Sequence, residues 1–230
     1  MGKMEYWIKA LNSYSYPVNL SCYENSNRFP NYFEMDITGD RDSTIAFENY
    51  FRKNARRSIE VYFEVVFWKL YSQKQFRQRG TTRIINHVLN KKIRPESLYD
   101  AIADFVETPS KQNLKNIREL LGMKSKVLAI ALTFPAFLNP EKYPMVDNNV
   151  ARWVNDFIRY NRDKQVRLTQ FTLNYTSLQD NDFQNYLNWI GWCNEMAENL
   201  TDKTSIEWRP RDVEMAIFTA KRKKLKLNIL

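Results

Sequence analysis

Glycine is scarce, with five in 230 residues. That scarcity argues against a turn-rich sandwich or barrel and for long helices. Cysteine is scarcer still: Cys22 and Cys193 stand far apart, neither has a CxxC partner, and His87 is the sole histidine. No zinc site and no iron–sulfur cluster can be assembled from that set. The two thiols admit one disulfide, but two buried thiols in a reducing compartment are the better reading. No run reaches the roughly 18 apolar residues that a membrane span needs. The opening MGKMEYWIKALNSYSYPV has no apolar signal-peptide core and no serine or threonine at position six for myristoylation. The expectation is a soluble, intracellular (cytoplasmic), monomeric protein that needs no metal or other cofactor.

Apolar residues, by contrast, are plentiful at 43%, so a sizeable core can form. The net charge of +9 favours an anionic partner, nucleic acid before a membrane surface, although a modest positive excess also serves solubility. Residues 1–43 are rich in Tyr, Asn, Pro and Asp and read as an irregular layer with a short strand near NYFEMDI. From Thr44, capped by Asp42 or Ser43, the apolar period is helical almost to the end. Ser58–Lys74 is apolar nearly all round and reads as a buried central helix. TRIINHVLN (82–90) is a short helix. Pro95 opens another at the first-turn position where proline is tolerated. Ser110 caps KQNLKNIREL, which Gly122 ends. A further helix is expected from Ser125 to Leu138, an extended return through Pro140 and Pro144, and a helix opened by Asp147. Two more follow, DFQNYLNWIGWCNEMAENL and one begun by Pro210. The fold class is mainly α, with 1–43 packed on one helical domain over 44–230.

The stretch LLGMKSKVLAIALTFPAFLNPEKYPMVDNNVARWV (120–154) carries the chemistry. Helix, short glycine turn and helix make a helix–hairpin–helix over 110–138. The backbone N–H groups of such a hairpin and the N-terminus of its second helix form an anion site suited to a phosphate. Lys126 falls in the first turn of that second helix. The helix carries the chain roughly 20 Å away, and residues 139–146, if extended, can span up to about 27 Å back. Asp147 can therefore return to the neighbourhood of Lys126.

In this stretch the chain resembles the helix–hairpin–helix DNA glycosylases, the superfamily of endonuclease III and the 8-oxoguanine glycosylases. LLGMKSK (120–126) matches the family's LPGVGxK hairpin, and VDNNVAR (146–152) matches its VDxxVxR segment. The likeness is sharp over about 35 residues and looser in the helical flanks. It implies a two-lobed helical fold and a DNA glycosylase with associated AP-lyase activity on duplex DNA carrying a damaged base or abasic site. Lys126 would attack the sugar C1′, Asp147 would assist, and Gly122, Met123, Lys124 and Ser125 would hold the phosphate backbone. Three departures stand out: Lys124 replaces the second hairpin glycine, Leu121 replaces the proline, and the cluster-binding cysteines of endonuclease III are absent.

Each residue also has a plainer reading. Asp147 caps a helix in either case. Lys126 is a solvated lysine or a nucleophile of lowered pKa, and a cation in a first helical turn opposes the macrodipole. Arg152 contacts a phosphate or pairs with Asp156. His87 is structural. Trp153, Trp192, Trp208 and Phe218 are available as walls for a flipped base, although most aromatics serve the core. The tail KRKKLK is a solvated end or a DNA-tracking arm. The alternative function is a DNA- or RNA-binding protein that keeps the hairpin and has lost catalysis.

Overall fold

The computed structural model describes residues 3–23, 36–123, 128–161, 167–172, 178–225 and 227. Ten α-helices dominate the described chain, with a single two-stranded sheet. No helix among the described residues is long and apolar enough to cross a membrane. The chain divides into two compact units, one of residues 16–126 and 133–138, the other of residues 1–15, 127–132 and 139–230.

The first unit opens with β1 (Val18–Asn19), paired antiparallel with β2 (Asp36–Ile37) so that Val18 faces Ile37. Five helices follow: α2 (Arg41–Asn54), α3 (Glu60–Leu70), α4 (Arg77–Asn90), α5 (Pro95–Glu107) and α6 (Lys111–Leu120). The short α7 (Thr133–Leu138) completes the unit. In α3 every residue from Val61 to Trp68 is buried, which is the outcome expected of a helix apolar on all sides. Its aromatics meet those of α2 and α7 edge-on. Phe51 lies 5.3 Å from Tyr62 and 5.7 Å from Phe137, and Trp68 lies 5.3 Å from Phe137, within the preferred range for aromatic pairs.

The second unit contains α1 (Lys3–Asn12), α8 (Asn148–Tyr160), α9 (Phe183–Lys203) and α10 (Pro210–Lys223). Helix α10 is its centre: every residue from Pro210 to Ala220 is buried, against α1, α8 and α9. Two arginines and two acids lie inside this helix start. Arg209 pairs with Asp212 at 2.9 Å, and Arg211 pairs with Glu214. Burial of such charges is tolerated only because each has its partner one turn away.

Several expectations need correction. Residues 3–12 are not irregular but form α1, whose Trp7, Ala10 and Leu11 are buried. Met4, Trp7, Ile8 and Leu11 fall at i, i+3, i+4 and i+7, a helical period that the Tyr, Asn, Pro and Asp content of 1–43 as a whole obscured. Helix α2 is capped by Asp40, which accepts from Ser43 N at 2.8 Å, rather than by Asp42 or Ser43. Helix α4 begins five residues before the expected Thr82, because the turn before it feeds in: Gln73 O accepts from both Phe76 N and Arg77 N at 2.8 Å. A helix over 125–138 is reduced, among the described residues, to turns at 129–132 and α7. Pro140 sits in a turn, with Asn139 O accepting from Tyr143 N at 2.9 Å, so the extended return is confined to 143–147. Both cysteines are free thiols; Cys193 is buried as expected, but Cys22 is exposed.

Candidate functional site

Helix α6 ends in a Schellman motif. Gly122 N donates to Glu119 O at 3.0 Å and Met123 N to Arg118 O at 2.8 Å. Gly122 takes φ of +66°, in the left-handed region. A Cβ at this position would come 2.2 Å from the His87 ring, so glycine is required by space as well as by conformation. His87 is thus the floor on which the hairpin turn sits, a structural role in keeping with the sequence reading. Met123 is buried and presents no side chain to a ligand. Lys124, Ser125 and Lys126 lie outside the described residues.

Asp147 belongs to the other unit. Its backbone is extended and its side chain caps α8: Oδ1 accepts from Asn149 N at 2.8 Å and from Val150 N at 2.9 Å. Both bonds fall on one oxygen. Among the described residues no hydrogen bond reaches Oδ2, and the residue is half-buried. A carboxylate so held is fixed in direction and keeps one oxygen for other work.

The segment before it is pinned from α9. Tyr186 donates its hydroxyl to Pro144 O at 3.1 Å, Trp189 Nε1 donates to Met145 O at 3.0 Å, and Asn194 Nδ2 donates to Lys142 O at 3.0 Å. Met145 and Val146 are buried beneath it. These three side chains set where Asp147 emerges, and the sequence reading did not identify them for that role. A signal was present: polar-tipped aromatics three residues apart on an apolar stripe need acceptors once buried.

Arg152 is exposed, and Asp156 is engaged elsewhere, by Lys221 at 2.6 Å and Arg159 at 2.6 Å. The hydrogen bond from Lys221 and the two cations hold the Asp156 carboxyl below its ordinary range. Among the described residues Arg152 makes no pair with Asp156. The four aromatics proposed as base-pocket walls do not stand together. Trp153 lies 5.9 Å from Trp192, in a cluster with Phe157 and Trp189. Trp208 and Phe218 instead pack on Trp7 and Tyr14, at 6.4 and 6.0 Å. All four are buried, because an apolar surface of that size is more stable in the core than lining an open site. The basic tail is tied back onto its own unit. Arg222 donates to Ser15 O at 3.2 Å and Lys223 to Ser13 O at 3.0 Å, past the C-terminus of α1, where cations are favoured.

No protein-family model, no curated protein and no solved structure matches this chain.

Proposed function

We propose that the protein is a DNA base-excision glycosylase with associated lyase activity. The observation that carries the reading is Asp147: a VDNNVAR segment in which the carboxylate caps α8 through one oxygen and keeps the other unengaged. A glycine turn that ends α6 in a Schellman motif, an exposed Arg152 and a net charge of +9 add support. In this reading the Lys126 amine, deprotonated, attacks C1′ of a nucleotide turned out of the stack. The C1′–N bond breaks, and the base leaves with the electron pair and is protonated. The second oxygen of Asp147 stabilises positive charge developing on the sugar and relays protons as the imine forms. The amine needs a lowered pKa to act at neutral pH, which the positive charge of the neighbouring Lys124 would favour.

A second reading, a hairpin module that binds nucleic acid without cutting it, is favoured by one observation. Lys124 stands where close approach of a phosphate to the backbone calls for glycine. Borohydride trapping separates the two. The protein is incubated with duplexes carrying an abasic site, 8-oxoguanine, uracil or an oxidised pyrimidine, then reduced. A covalent band lost in Lys126→Ala is expected. Binding without a band on any substrate, and without alkali-labile sites, would leave the binding module.

A further inference from the structure

The net charge of this chain is not spread over it. Between Glu64 and Glu96 lie 31 residues with eight Lys or Arg and no Asp or Glu, so the rest of the chain sums to only +1. A charge kept for solubility would be interspersed with the opposite sign. This one is concentrated on α4 and the turns at its two ends.

Helix α4 turns Ile84, Ile85 and Val88 inward, toward α3. Phe76, Arg79, Arg83, Asn86 and Asn90 recur at helical spacing on a different face. Arg79, Arg83, Asn86 and Asn90 are exposed, and so is Lys74 in the turn before them. Phe76 is the platform. Gly80 lets the ring lie down on the helix, since a Cβ there would come 2.7 Å from it. The Arg79 and Arg83 guanidinium groups lie 5.7 and 6.0 Å from the ring centre. Cations held over an aromatic face keep their donors directed outward and lose less freedom on binding. Among the described residues no carboxylate pairs with Lys74, Arg79 or Arg83.

The helix itself gains nothing from this arrangement. Arginine at 77 and 79 opposes the macrodipole in the first turn, where no acid stands. Arg79 and Arg83 repel one another one turn apart. At its far end the row stops at an open groove of about 650 Å³ whose lining includes Lys91, Asp100, Asp104 and Glu119. From Arg79 to Asn90 the row runs roughly 17 Å, about five base-pair rises of a duplex.

We infer that the Arg79–Arg83 face of α4, with Lys74 in the turn before it, is a phosphate-backbone contact for duplex DNA. It is separate from the hairpin and holds whether or not Lys126 performs chemistry. Guanidinium groups on a straight row, continued by two amide side chains, suit a regular phosphate backbone. A membrane surface would call for apolar residues on the same face, and the exposed Leu89 lies off it.

The test is the triple variant Lys74→Gln, Arg79→Gln, Arg83→Gln, followed by fluorescence anisotropy on an undamaged 20-base-pair duplex across roughly 50–200 mM salt. All three positions are exposed, so the melting temperature should be kept. The expected result is a log–log salt slope smaller by about 2–3 and an affinity lower by about tenfold or more. An unchanged slope and affinity would overturn the inference. So would duplex binding kept while binding to phosphatidylserine vesicles or to an RNA hairpin is lost. Lys126→Ala is run alongside: it should leave this slope intact while abolishing borohydride trapping. Failure of the lyase reading and failure of the α4 contact are therefore read on different variants.

Discussion

A helix-capping aspartate and a catalytic aspartate are hard to tell apart because both want the same geometry. At Asp147 the cap uses one oxygen, so a proposed role for the other is separable by substitution. Asparagine caps as well as aspartate, so Asp147→Asn should leave stability nearly unchanged, whereas alanine should cost about 1 kcal/mol. If the carboxylate also serves the sugar, Asp147→Asn should lower single-turnover trapping on abasic duplex by about a hundredfold or more. Full trapping in the asparagine variant would reduce Asp147 to a cap. The same logic applies to Gly122, whose φ of +66° and contact with His87 both forbid a side chain. There the constraint is legible twice, once in the glycine of the motif and once in the packing.

At the scale of elements, α9 acts on the segment it packs against. Tyr186, Trp189 and Asn194 each hold a carbonyl between Lys142 and Met145, so α9 works as a jig for the start of α8. Trp189→Phe keeps the ring's bulk in part and removes the indole donor to the buried Met145 O. A loss of about 1–3 kcal/mol is expected. If the jig positions Asp147, amide exchange at Asn149 and Val150 should quicken and trapping should slow, with binding of intact duplex unchanged. Unaltered exchange there would confine Trp189 to packing. Helix α4 shows the opposite economy: its inward face is ordinary, while its outward face carries charges that the helix by itself would not choose.

For the whole molecule, stability and charge meet at Glu64. Its carboxyl is fully buried in α3. Desolvation pushes its pKa up to about 8, with the Tyr50 hydroxyl opposing in part and the charge of Glu60 reinforcing. The folded chain thus holds a proton that the unfolded chain releases near the ordinary glutamate value. The sign follows from proton linkage: this group favours folding most below about pH 4.5, and the contribution is lost progressively as pH rises to about 8. Glu64→Gln should remove that slope and raise stability at neutral pH. Chemical denaturation of both proteins between pH 5 and 8 measures it, and parallel curves would show that Glu64 is ionised at no cost. Fold-wide electrostatics also include the charge on α4, which makes the affinity for any polyanion dependent on salt.

Much was legible in the sequence, for reasons that can be named. The buried α3, the caps Ser110 and Asp147, the Pro starts of α5 and α10 and the glycine end of α6 are local: each depends on residues within a turn or two. Tertiary structure decided the rest. Helix α1 carries its own apolar period, but that its Trp7 and Leu11 are buried, with α10 packed against the helix, is a fact no decapeptide contains. The aromatics proposed for a pocket went to the core because neighbours distant in sequence, Trp7 and Tyr14 among them, close over them. Arg152 was freed of Asp156 by Lys221, 65 residues later. Local chemistry writes helix ends and motifs into short stretches of sequence; which side chains are buried, paired or left facing solvent is determined by contacts that only folding brings together.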